Sequence, residues 1–312
     1  MNTLLVIDRD AQIYAAELKK RNLPDLIIHS AEGQDAVGDH IEHANIVLGQ
    51  PAEAAPLLAR AKKLQWLQST FAGIEPLCSK TLRTDYILTG VKDVFGPLMS
   101  EYIFAYILAK ERSLFETRKN QSNKKWSPIP YQGLNNLTIG IIGLGSIGKS
   151  IAATAHHFGM RVLGMKRTVD DVENVDQLFL VSEKSAFLPL VDYLVMTLPA
   201  TEQTTGFIGL AELKIMKPTA IVMSVGRGSN IDQDGLIKGL QDKYIGGAVL
   251  DVFEQEPLPA ASPLWDMPDV YITPHNSAFS FPAQITALFC ENYVRFVSGK
   301  TLKYIVDFEN GY

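Results

Sequence analysis

Arg227, Glu256 and His275 each stand shortly after a short apolar run. Residues 220–223 lead through Ser224 into Val225-Gly226-Arg227-Gly228, residues 247–250 into Asp251-Val252-Phe253-Glu254-Gln255-Glu256-Pro257, and residues 270–272 into Thr273-Pro274-His275-Asn276. A guanidinium binds a carboxylate and polarises a neighbouring carbonyl. An imidazole titrates near neutrality and can hand a proton to an oxygen that becomes an alkoxide, and a carboxylate behind it orients the ring and stabilises its protonated form. Singly, each has a plain structural reading: a surface ion pair for the arginine, a loop residue for the glutamate, a cap or core residue for the histidine. Together, at successive run ends, they suit reduction of a 2-keto acid, in which hydride reaches the carbonyl carbon and a proton its oxygen.

Such a reduction needs a hydride carrier. Directly after the apolar run 137–142 comes Gly143-Leu144-Gly145-Ser146-Ile147-Gly148, opening a helical stretch to residue 158. The first glycine permits a tight turn, the second lets backbone approach a pyrophosphate, and the third lets helix and strand pack closely, so the phosphates meet unpaired N–H groups. About 20 residues on, where an acidic residue would hold a ribose 2′-hydroxyl, the sequence has Lys166-Arg167-Thr168. Two cations and a hydroxyl suit a 2′-phosphate, so NADP(H) is the preferred cofactor. Asp170 and Asp171 leave NAD(H) possible, and a solvated surface turn is the alternative for residues 166–168.

These residues need a scaffold that gathers strand ends. Continuously apolar runs at 4–7, 46–48, 137–142, 162–165, 193–196, 220–223, 247–250 and 270–272 suit strands buried on both faces. Helix-like stretches at 12–21, 146–158 and 232–240 alternate with them, the pattern of an α/β fold with a doubly wound parallel sheet. The rival is an eight-stranded α/β barrel, disfavoured by uneven spacing and by a glycine loop in mid-chain. Gly96-Pro97 and the polar loop 119–136 punctuate the chain around a long helix predicted over 98–118; another helix is expected over 282–299.

With 312 residues, 46% of them hydrophobic and 20% charged, the chain is globular and long enough for two domains. A net charge of −5 disfavours a nucleic-acid partner. Cys78 and Cys290, far apart in sequence, signal neither a disulfide framework nor a thiol metal site, and a reducing, cytoplasmic setting is expected. The most apolar run, 103–109, is far short of the roughly 20 residues of a membrane span, so no membrane partner is expected.

The glycine loop, Leu198-Pro199-Ala200-Thr201-Glu202-Gln203-Thr204, the Gly226-Arg227-Gly228 turn, the run from Leu250 to Pro259 and Thr273-Pro274-His275, in that order, resemble the D-isomer-specific 2-hydroxyacid dehydrogenases over essentially the whole chain. Met99-Ser100-Glu101-Tyr102, Trp126-Ser127-Pro128, Ser262-Pro263-Leu264-Trp265 and the closing Gly311-Tyr312 are similar to that family's glyoxylate/hydroxypyruvate reductase A branch, which favours NADPH. The resemblance implies a discontinuous fold of two doubly wound parallel-sheet domains. A Rossmann dinucleotide-binding domain (99–280) is inserted into a smaller flavodoxin-like substrate domain (1–98 plus 281–312).

It makes Arg227 the residue that binds and polarises a small anionic 2-keto acid, His275 the acid/base, and Glu256 its partner. Phe71, Ala72, Gly73 and Ile74 then offer backbone N–H groups to the substrate carboxylate. The cofactor falls to Gly143, Gly145, Ser146, Ile147 and Gly148, to Lys166, Arg167 and Thr168, to Leu198, Pro199 and Thr204, and to Val225, Arg227, Asp251 and His275. It also implies a site between the domains and a homodimer formed through the cofactor domain, with 98–118 an interface helix or a buried core helix. Trp126 either reaches the partner's pocket or packs within its own loop. Ser224, Glu75 and Asn276-Ser277-Ala278 depart from the family's common pattern, Glu75 and Asn276 beside the expected pocket. Formate oxidation is disfavoured, because relatives with that activity carry Gln at the position of Glu256. The alternatives are another 2-keto acid as substrate and a non-catalytic NADP(H) sensor, which would have no need of the acid/base set.

Overall fold

The computed structural model describes residues 1–168 and 170–309, so Gly311 and Tyr312 lie outside the described residues. Among these the chain forms strands β1 (Asn2–Ile7), β2 (Leu26–Ala31), β3 (Ile46–Gly49), β4 (Trp66–Ser69), β5 (Ile87–Thr89), β6 (Thr138–Ile142), β7 (Arg161–Lys166), β8 (Gln177–Leu180), β9 (Tyr193–Met196), β10 (Ile221–Ser224), β11 (Gly247–Leu250) and β12 (Val270–Ile272). The longer helices are α1 (Ala11–Lys20), α2 (Gly96–Glu111), α3 (Leu114–Ser122), α4 (Ser146–His157), α5 (Gln233–Gln241) and α6 (Pro282–Val297). Two compact units result: Met1–Val94 with the segment that begins at Ser280, and Phe95–Phe279.

The first unit holds a five-stranded sheet in the order β2-β1-β3-β4-β5, parallel throughout. This is the doubly wound order of flavodoxin-like sheets. β3 and β4 are buried at every position, including Gln68, whose amide donates to the carbonyls of Ser69, Thr89 and Gly90. α6 belongs here because its apolar stripe fits this core. Ile285, Leu288, Phe289 and Tyr293 are buried at helical spacing, and Phe289 stacks on Trp66 with ring centroids 4.9 Å apart.

The second unit holds a seven-stranded sheet, again parallel throughout, in the order β12-β11-β10-β9-β6-β7-β8. The chain winds outward from β6 through β7 and β8, then returns to build β9 to β12 on the other side. The carboxyl ends of β6 and β9 therefore flank the topological switch point, where open α/β sheets bind ligands. Two open sheets exclude the barrel.

The predicted helix over 98–118 is two helices. Ser113 adopts a left-handed φ of 49° between α2 and α3, and neither glycine nor proline announces the break. Residues 95–98, read from sequence as part of the first piece, belong to the second unit. α2 starts at Gly96 with Pro97 in its first turn, and a Cβ on Gly96 would lie 2.7 Å from that of Ser150 on α4.

Candidate active site

Along the carboxyl edge of the seven-stranded sheet the predicted residues fall in spatial order. His275 follows β12, Glu256 follows β11, Arg227 follows β10, the 198–204 loop follows β9, the glycine loop follows β6, and Lys166 ends β7 with Arg167 and Thr168 beyond it. The structure thus gathers the candidate catalytic residues at one end of the edge and the 2′-phosphate candidates towards the other.

At the chemical end, His275 Nδ1 lies 2.8 Å from Glu256 Oε2. The other oxygen of Glu256 accepts the Phe253 N–H at 3.0 Å, so the carboxylate is anchored to its own loop while it holds the ring. A carboxylate cannot donate; Nδ1 carries the proton, and Nε2 is left to face a reactant. The pair is half exposed, with side-chain accessibilities of 53% and 37%. Arg227 is held in a tight turn. Its N–H donates to Asn230 Oδ1 at 2.9 Å and its guanidinium to the Gly226 carbonyl at 2.7 Å.

Asn230, fully buried, also donates to the carbonyls of Pro199 and Thr204 at 3.1 and 3.2 Å. It thereby ties the arginine turn to the loop after β9, where the Thr204 hydroxyl donates to Pro199 O at 2.6 Å. Leu198 lies under the same turn, its carbonyl 2.7 Å from where a Cβ on Gly226 would stand. Val225 is buried at the end of β10, which leaves only its backbone to a ligand. Asp251 is wholly buried, with both carboxylate oxygens engaged by Thr273, Asn276 and Ser277.

The glycine loop fits a dinucleotide. Gly143 has φ +97°, and a Cβ on Gly148 would fall 2.0 Å from the Gly143 carbonyl, so neither position accepts a side chain without rearrangement. A Cβ on Gly145 would meet nothing within 4 Å, so this exposed glycine leaves open space at the start of α4. No side chain caps that helix and its first turn has no acidic residue, an end suited to phosphate. Ser146 and Ile147 stand half-buried in the first turn.

Lys166 is engaged with Asp170 at 2.6 Å. Hydrogen bonds from Lys166 and then Thr168 hold the Asp170 carboxyl below its usual range, with Lys149 adding to the effect through its charge. Lys149, directly after the last glycine of the loop, was missed from the sequence because the dinucleotide motif ends one residue before it. Asn230, in the turn after β10, and Thr197, just after β9, whose hydroxyl donates to the Gly143 carbonyl at 2.6 Å, were missed too; single polar residues in such loops carry no spacing signature.

The remaining predicted residues lie in the first unit. Phe71 to Ile74 follow β4, at the carboxyl edge of the five-stranded sheet. Ser69 Oγ accepts the Phe71 N–H at 3.0 Å. The buried Thr70 donates its hydroxyl to the buried Asp8 at 2.9 Å, and its carbonyl accepts from Ser280 Oγ at 2.6 Å.

The family profile for the NAD-binding domain of the D-isomer specific 2-hydroxyacid dehydrogenases matches residues 104–277. A glyoxylate/hydroxypyruvate reductase A from Serratia proteamaculans is 29% identical over 311 residues, covering 97% of each chain. A D-isomer specific 2-hydroxyacid dehydrogenase family protein from Aeromonas salmonicida superposes with TM-score 0.94 at 44% identity, over 98% of this chain and 99% of that one. An NADPH-dependent glyoxylate/hydroxypyruvate reductase from Sinorhizobium meliloti, solved with NADP and sulfate, superposes with TM-score 0.90 at 25% identity over 100% of both chains. By its fold, the order of its motifs and these matches, the chain is an oxidoreductase that belongs to the D-isomer specific 2-hydroxyacid dehydrogenase family.

Proposed function

We propose that the protein reduces glyoxylate, hydroxypyruvate or a similar small 2-keto acid to the D-2-hydroxy acid, with NADPH as the preferred donor and NADH as a possible one. The observation that carries this reading is the His275–Glu256 pair beside the Arg227 turn, on the ends of three adjacent parallel strands. NADPH, when bound, supplies the hydride. Arg227 holds the substrate carboxylate and draws charge from the carbonyl; the segment Phe71, Ala72, Gly73 and Ile74 is assigned to substrate binding through its backbone N–H groups, apart from that of Phe71, which Ser69 Oγ already accepts. His275 delivers the proton from Nε2 as negative charge builds on the oxygen, and Glu256 stabilises the imidazolium before the transfer. Residues 1–94, with the segment from Ser280, serve as the substrate domain and 95–279 as the cofactor domain.

Arg167 and Thr168, both exposed after β7, are assigned the 2′-phosphate, with Lys166 and Lys149 adding positive charge. NADP in the Sinorhizobium meliloti structure supports this choice. A homodimer through the cofactor domain is part of the reading. Pro97, Glu101, Phe104 and Ala105 of α2 line an open groove of about 520 Å³ with Phe158, and Trp126 is 97% exposed. The test is His275→Ala: keto-acid turnover is lost while NADPH still binds, and turnover at the wild-type rate would refute the assignment.

A further inference from the structure

His275 has φ +50°, in the left-handed region that non-glycine residues seldom enter. Such a conformation persists only where the surroundings over-determine it. Here one aspartate supplies contacts on both sides of the residue. Asp251 Oδ1 accepts the Thr273 hydroxyl at 2.6 Å and the Asn276 N–H at 2.9 Å, and Oδ2 accepts the Ser277 N–H at 3.1 Å and its hydroxyl at 2.5 Å. The Asp251 carbonyl accepts the His275 N–H at 2.9 Å. Asp251 therefore grips the turn on both sides of the histidine.

A further residue enters from α2. Tyr102 Oη lies 2.7 Å from Thr273 Oγ1. Thr273 has a single hydroxyl proton, already given to Asp251, so Tyr102 is the donor and the bonds run in one direction, Tyr102 to Thr273 to Asp251. Bonds in such a series polarise one another. A phenol is protonated at neutral pH, and burial pushes that of Tyr102 further up. The same helix is fastened to β12 by rings: Tyr102 meets Tyr106 at 5.1 Å, and Tyr106 meets Tyr271 at 5.5 Å. Tyr102 lies in the Met99-Ser100-Glu101-Tyr102 segment, to which the proposed reaction gives no task.

We infer that Tyr102 is a positioning residue for His275: its hydroxyl fixes the Thr273 side chain, and through Asp251 this sets the turn that aims Nε2. The inference rests on the acid/base assignment made above. Its test is steady-state kinetics, with NADPH and glyoxylate or hydroxypyruvate, of the wild type, Tyr102→Phe, Thr273→Val, Thr273→Ser and the Tyr102→Phe/Thr273→Val double variant.

Tyr102→Phe is expected to lower kcat about tenfold, the size of one lost hydrogen bond, with KM for NADPH within about twofold of wild type. Thr273→Val lowers kcat at least as far, and Thr273→Ser, which keeps the hydroxyl, restores it. The double variant is no slower than Thr273→Val alone, because Tyr102 acts only through Thr273. A Tyr102→Phe enzyme with wild-type kcat, or losses that multiply in the double variant, overturns the inference. Should Tyr102→Phe not fold, equal kcat in Thr273→Ser and Thr273→Val overturns it. A wild type inactive on every 2-keto acid removes the functional reading and this inference with it. An active wild type with His275→Ala dead and Tyr102→Phe unimpaired removes this inference alone.

Discussion

In the proposed reaction, the bond from His275 Nδ1 to Glu256 leaves Nε2 for the substrate and gives the glutamate an electrostatic task as well as an orienting one. Glu256→Gln keeps a hydrogen-bond acceptor but removes the charge that stabilises the imidazolium. We expect kcat to fall about 10- to 100-fold, with the Kd for NADPH unchanged, as measured by steady-state rates alongside nucleotide titration. At the other end of the edge, Arg167→Ala removes the charge-assisted contact to the 2′-phosphate proposed for this residue. The expected result is KM for NADPH raised about 10- to 100-fold and KM for NADH nearly unchanged. Equal losses with both nucleotides would assign Arg167 a structural task instead.

At the scale of elements, the turn between β6 and α4 is built so tightly that one methyl group should disturb it. A Cβ on Gly148 has no space beside the Gly143 carbonyl. Gly148→Ala should therefore lower stability by about 1–3 kcal/mol and weaken NADPH binding, both measurable by thermal unfolding with and without nucleotide.

Strands 193–196 and 247–250, buried at every position, appear in the structure with the limits read from sequence, as does 270–272, an edge strand that is only half-buried but is apolar at all three positions. Those that were not legible have other reasons to be strands. β2 is a sheet edge that carries His29 and Ser30, β8 is an edge of four residues, and β5 has only three. β4 buries Gln68, which no apolar pattern would place in a core. In the candidate site, the sequence placed the glycine loop after β6 and Arg227, Glu256 and His275 after three successive strands, because each follows a short apolar run directly or by a few residues. The Tyr102–Thr273 bond joins residues 171 positions apart, and only the packing of α2 brings them together.

For the molecule as a whole, the net charge of −5 averages over local groups of both signs. Lys166 ends β7 and is paired with Asp170, Lys149 and Arg167 stand nearby after β6 and β7, and Arg227 follows β10, so cations lie interspersed with carboxylates along one sheet edge. Nucleotide held there should stabilise the fold by mass action. At 100 times its Kd, NADPH should add about 2.7 kcal/mol to the stability of the unit that binds it, read as a rise in unfolding temperature greater than NADH gives at the same concentration. In solution, light scattering should give the mass of two 34.4 kDa chains, and Trp126→Ala should leave folding of the chain unaffected because its side chain is exposed.

The proposed activity of this edge is an NADPH-linked reduction of a small 2-keto acid. The most direct measurement is the rate of NADPH oxidation by the wild-type protein across a panel that includes glyoxylate, hydroxypyruvate and branched 2-keto acids, repeated with NADH. Turnover is expected, fastest with the smallest acids and with NADPH ahead of NADH. No oxidation of either nucleotide with any member of the panel would contradict it.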